Sequence, residues 1–130
     1  EQGTSEDRIA WGDRQGGISM AMVIEELEGG ITKVTLDGKL DIAGAAAVDM
    51  KMNVIAGSRK AVLVDLQQVS FLGSMGLRSL VAPARAIKGR GGKMVLFGPN
   101  ELVEKVLKTS GTDTLIPVHH ELQSALAALQ

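Results

Sequence analysis

Cysteine is missing altogether from the 130 residues, so neither disulfides nor thiolate metal sites hold the chain together. Aromatic side chains are almost as scarce. Trp11, Phe71 and Phe97 are the only three, which removes the stacking platforms that single-stranded bases and sugar rings require and leaves an aliphatic core. Charge of neither sign is in excess: 14 basic and 15 acidic residues give a formal net charge of −1. That is too little to draw nucleic acid or an anionic membrane surface by long-range attraction. No apolar run approaches the roughly 20 residues that span a bilayer. The polar opening EQGTSEDRIAWGDRQGG lacks the basic start and apolar stretch of a secretory signal. The expectation is a cytoplasmic protein without membrane insertion, cofactor or metal.

What is present is 45% hydrophobic residues over a length suited to one domain with a real core. Residues 1–17 carry no periodicity and read as a disordered tail, appended or native, which leaves 18–130 as the domain. Within it, MAMVIEEL (20–27) and ITKVTL (31–36) read as strands, and Gly29-Gly30 between them suits a hairpin turn. Ala45, Val48, Met52 and Ile55 recur at helical spacing over 44–56, with Gly57 as the stop. AVLVDL (61–66) has no polar alternation, the mark of a strand buried on both faces. Leu77, Leu80, Val81, Ala84 and Ile87 predict a helix over 75–88. Pro83 lacks the amide that would bond back toward Ser79, so a kink or loosened turn is expected there. KMVLF (93–97) is a strand, and Asn100 caps a helix bearing Val103, Val106 and Leu107 that stops at Gly111. TLIPV (114–118) reads as an edge strand because it contains Pro117. A last helix from Glu121 is expected to bury Leu122, Ala125, Leu126 and Leu129. The order β-β-α-β-α-β-α-β-α predicts an α/β fold: a mixed, mostly parallel sheet of four or five strands covered by about four helices.

The run AVLVDLQQVSFLGSMGLRSLV (61–81) breaks off at Gly73-Ser74, just where the helix begins. In open α/β sheets, functional sites gather beyond the carboxyl ends of strands, at junctions of this kind. One reading is structural: the Ser74 hydroxyl caps the free amides of the helix, and Gly73 and Gly76 keep the turn clear of side chains. The other adds a switch. The same amides and the helix dipole stabilise a phosphate, so a phosphoryl group on Ser74 would enter a preformed anion site. The residues alone leave both open.

LDGKLDIAGAAAV (36–48), taken together with residues 61–81, resembles the STAS domain family, which comprises the bacterial anti-sigma factor antagonists and their relatives in sulfate-transporter tails. The most specific part is the Asp65-Leu66 strand ending, the VSFLGSMGL turn and the helix that follows. The resemblance implies a cytoplasmic partner-switching phosphoprotein that is not an enzyme. Unphosphorylated, it binds an anti-sigma factor and frees the sigma factor; once that factor, a serine kinase, has phosphorylated Ser74, it lets go, and a phosphatase reverses the step. The resemblance also implies Asp41 as the acidic neighbour of Ser74, and a partner surface made of Asp41, Gly73, Ser74, Met75, Gly76 and Leu77. Two positions depart from the family. Gly73 stands where many antagonists carry an acid, and Met75 where many carry a second hydroxyl. Losing the acid weakens kinase recognition but removes a charge that would repel phosphate. Gly73 thereby also favours an alternative, a STAS module that regulates a transport or stress-signalling complex without being phosphorylated.

The remaining motifs carry less. KGRGGK (88–93) follows a helix and precedes a strand, the reverse of a phosphate-binding loop, and reads as a helix stop and turn with solvated charges. His119 and His120 are adjacent rather than four apart, and no cysteine completes a zinc set. Ser74, Asp113 and His119 or His120 occur in the chain order of a small serine hydrolase, the remote alternative. Leu72, however, replaces the first glycine of a nucleophile elbow. The methionines mostly suit aliphatic core packing, with Met75 alone placed to meet a partner.

Overall fold

The computed structural model describes residues 6–13 and 17–130. One sheet carries six strands in chain order: β1 (Glu6–Asp13), β2 (Gly17–Leu27), β3 (Ile31–Leu40), β4 (Ala61–Leu72), β5 (Lys93–Phe97) and β6 (Val118–His119). The first three pair antiparallel, and the pairs from β3 to β6 are parallel. Between them run α1 (Ile42–Ser58), α2 (Ser74–Gly89), α3 (Glu101–Thr109) and the single turn α4 (Thr112–Leu115), and α5 (Leu122–Ala128) ends the fold. This is the mixed, mostly parallel α/β domain expected from the sequence, with one strand more at its amino-terminal edge.

That extra strand corrects the reading of the first residues as a tail. Residues 6–13 pair with β2 from Glu6↔Glu25 to Asp13↔Gly17. The EDRIAWGD segment mixes polar and apolar residues without clean alternation, so its pairing is set by the strand beside it and not by its own pattern.

The two faces of the sheet are covered unequally. Alternate residues of β2, β3 and β4 (Met20, Met22, Val34, Leu36, Val62, Val64 and Leu66) pack with Val48 and Met52 of α1, Leu80 and Ile87 of α2, and Val103 and Leu107 of α3. On the opposite face Ile31, Leu63, Val95 and Phe97 cluster with Ala125 and, around it, Leu126, Ala128 and Leu129 at the end of the chain. The uninterrupted burial of residues 62–66 follows, since β4 lies between the two layers.

Several local expectations change. The chain from Thr112 makes one helical turn instead of a strand: Gly111 at φ 78° opens it, Thr114 Oγ1 donates to the Gly111 carbonyl at 2.6 Å, and Ile116 N–H closes on Thr112 O. Pairing with β5 therefore begins only at Val118. Gly57 lies inside α1, which runs on to Ser58. α2 stays helical through Pro83, which is buried. Leu122 stands 37% exposed and Met50 79% exposed, so neither is a core residue.

Candidate functional site

β3 and β4 both run further than their apolar patterns suggest, and this brings the two strand-to-helix junctions side by side. Two irregularities, at Thr35/Asp37 and Gly38/Lys39, let the longer β4 keep pace with β3 until Leu40 pairs with Leu72. Gly73 N–H then donates to the Leu40 carbonyl at 3.0 Å. Asp41 and Gly73 are the next residues of neighbouring parallel strands, and each starts a helix. The first turns of both helices are pressed onto the end of β3. A Cβ on Gly44 would overlap the Lys39 carbonyl, and one on Gly76 would overlap that of Leu40. Only glycine permits approaches this close.

The helix ends at this edge are finished differently. Asp41 caps α1, its Oδ1 accepting from Gly44 N–H at 2.8 Å. Asn100 caps α3, its Oδ1 accepting from Val103 N–H at 2.8 Å while its amide donates to the Val69 carbonyl. α2 has neither. Its N-cap is Gly73, not Ser74 as the sequence suggested, because Leu77 N–H bonds to the Gly73 carbonyl at 2.9 Å and makes Ser74 the first helical residue. No acidic residue lies in the first turn, and among the described residues the amides of Ser74, Met75 and Gly76 have no side-chain acceptor. The exposed Ser74 hydroxyl therefore sits beside an open positive helix end.

Of the expected partner surface, Asp41, Gly73, Ser74 and Met75 reach solvent. Gly76 is buried under Leu40, and Leu77 packs against the core, because they begin the inward stripe that continues through Leu80, Pro83 and Ile87. Their places at the surface are taken by residues the sequence reading missed: Phe71, 44% exposed, and Ile42, 74% exposed. Further along α1, Met50 and Val54 are also open. The signal for these was present. IAGAAAVDMKMNVIA is apolar on more sides than one buried face needs.

The hydrolase constellation does not assemble. His120 Nε2 lies 2.9 Å from both carboxylate oxygens of Glu104 on α3, and neither histidine hydrogen-bonds to Ser74. Among the described residues no three His, Cys, Asp or Glu side chains converge as metal ligands, and no helix is long and apolar enough to cross a membrane.

Comparison with known proteins follows the same contour. The anti-sigma-F factor antagonist RsfB of Mycobacterium tuberculosis is 28% identical over 102 residues, covering 78% of this chain and 83% of the relative. The anti-sigma F factor antagonist of Paenibacillus polymyxa is 27% identical over 103 residues, covering 78% and 88%. The crystal structure of an anti-sigma factor antagonist from Mycobacterium paratuberculosis superposes with a TM-score of 0.77 at 28% identity, covering 85% of this chain and 94% of that one. The STAS domain model matches residues 22–125, the span from β2 to α5 that holds both junctions, and the chain belongs to the STAS domain family.

Proposed function

We propose that this protein is an anti-sigma factor antagonist whose binding is switched by phosphorylation of Ser74. The observation that carries the reading is the unfinished amino end of α2. The helices on either side are capped by Asp41 and Asn100, while the helix bearing the exposed Ser74 begins on a glycine. The names of the relatives supply the partner class, an anti-sigma factor.

In this reading the chain performs no catalysis. The partner, acting as a serine kinase, transfers the γ-phosphoryl group of ATP to Ser74 Oγ, the hydroxyl proton leaves and ADP departs. A phosphatase returns the serine by hydrolysis to inorganic phosphate. Asp41 uses one oxygen to cap α1 and keeps the other to orient the incoming hydroxyl or a metal-bound nucleotide. Phe71, Met75 and Ile42 give the partner apolar surface around the serine. Unphosphorylated, this surface is covered without burying an unpaired ion. Phosphorylation adds about −1.5 to −2 charges at neutral pH, and a partner closing over them must strip their water.

Incubation with the cognate kinase and MgATP, followed by mass spectrometry, is the test. A single phosphoryl group on Ser74, acquired more slowly in Asp41→Asn, is the expected result. A chain that binds the partner yet gains no phosphate at Ser74 would leave the unphosphorylated regulatory module, the reading that Gly73 favours.

A further inference from the structure

The amino ends of β4 and β5, at the opposite end of α2 from Ser74, carry a second feature. The KGRGGK segment is a clamped turn. Gly92 N–H bonds to the Ile87 carbonyl at 2.9 Å, Gly91 N–H to that of Lys88 at 3.0 Å, and Lys93 N–H to that of Lys60 at 2.6 Å. The Arg90 guanidinium donates to the carbonyls of Ala56 and Arg59 at 2.7 and 2.9 Å, which fixes the turn to the end of α1. Gly91 holds φ 88°, and a Cβ on Gly92 would run into the Lys60 carbonyl and the Ile87 side chain. A run of merely solvated charges needs no such fixing.

From this turn cations project outward. Lys60, Lys88 and Lys93 are exposed and form no ion pair among the described residues. The helix dipole accounts for Lys88, in the last turn of α2. It does not account for Lys60 and Lys93, which stand at strand starts. Two grooves meet at Gly92 and Lys93, one floored by Met94, Leu115 and Pro117 beside Lys88, the other by Ala128 and Leu129 beside Lys60. No Asp or Glu lines either groove. Because the β5–β6 pairing begins only at Leu96↔Val118, the main chain at Met94, paired with Val62 of β4 on one side, borders the first groove with no strand paired to it on the β6 side.

We infer that this pole binds an acidic peptide segment of a partner protein, an extended stretch whose carboxylates lie against Lys88, Lys93 and Lys60 and whose apolar side chains enter the two grooves. Charge complementarity selects the acid, and the apolar floors select a peptide. Neither groove holds an aromatic ring, so nucleic acid would meet the cations without a stacking surface. The turn is rigid before binding, which keeps the ordering cost low. The 16 residues of α2 separate this pole from Ser74 by about 24 Å at ~1.5 Å per residue. Binding here is therefore independent of the charge on Ser74.

The test titrates the full chain, by fluorescence anisotropy, with three labelled probes: a short peptide of glutamates flanked by leucines, its lysine counterpart, and an oligothymidine of equal length. The acidic peptide alone is expected to saturate. The double variant Lys88→Glu/Lys93→Glu and the single variant Leu115→Ser should each weaken it by about tenfold or more. Ser74→Asp should bind it as wild type does, and thermal melting should find all variants folded. Equal binding of the acidic and basic peptides, preference for oligothymidine, or undiminished binding by the charge-reversed double variant would overturn the inference. Loss of binding in Ser74→Asp would overturn it too, by moving the site to the other pole. None of these results bears on whether Ser74 is phosphorylated.

Discussion

Gly73, Ser74 and Gly76 share one turn of backbone but answer to different constraints. Gly76 sits against the Leu40 carbonyl with no room for a Cβ, so Gly76→Ala should lower the unfolding free energy by about 1–3 kcal/mol. Gly57, near the end of α1, has open space where a Cβ would stand, with no atom within 4 Å, and Gly57→Ala should raise it by about 0.4–1 kcal/mol. Denaturant titration of the two variants, one in each direction, checks both. Gly73 is intermediate: its φ of −103° is open to any residue, and a Cβ would lie 3.1 Å from the half-exposed Phe71 ring, which can swing aside. Asn100 was legible as a cap because an asparagine directly precedes a helical pattern. Ser74 was legible as lying at a junction but not as the first helical residue. Serine and glycine both serve as N-caps, and a shift of one residue in where the helix begins decides between them.

At the scale of elements, apolar runs and stripes with no proline or turn-closing hydroxyl near their start were the most readable. β4 through Leu66, the inward stripe of α2 and the strand 93–97 all followed from side-chain spacing. The pieces that were not readable depend on what lies beside them. TLIPV has strand-forming residues, yet Gly111 and the Thr114 hydroxyl close a helical turn first. EDRIAWGD takes its strand conformation by pairing with β2. The extensions of β3 and β4 to Leu40 and Leu72 cross polar residues that alternation alone would exclude. A part-buried polar contact ties α1 to α2, Ser79 Oγ donating to Asp49 Oδ1 at 2.6 Å. Because Asp49 is exposed and regains water when the tie is lost, Ser79→Ala should cost only about 1 kcal/mol, read as a lower melting temperature with unchanged secondary structure.

Across the whole molecule, the parallel strands give the domain two chemically different poles. Their carboxyl ends hold Asp41, the uncapped α2 and an apolar rim, and their amino ends hold the clamped cationic turn. The proposed phosphate on Ser74 would change the first pole without disturbing the core, since a helix amino end accommodates negative charge. The switch should therefore appear in affinity and leave the fold alone. Calorimetric titration of wild type, Ser74→Ala and Ser74→Asp against the cognate anti-sigma factor, paired with a thermal melt of each, tests this most directly. Ser74→Ala should bind as the unphosphorylated wild type does. Ser74→Asp should bind about two orders of magnitude more weakly, corresponding to ~3 kcal/mol, with all three melting at nearly the same temperature. Equal affinities for the alanine and aspartate variants would contradict the account and reduce Ser74 to an ordinary residue of the first helical turn.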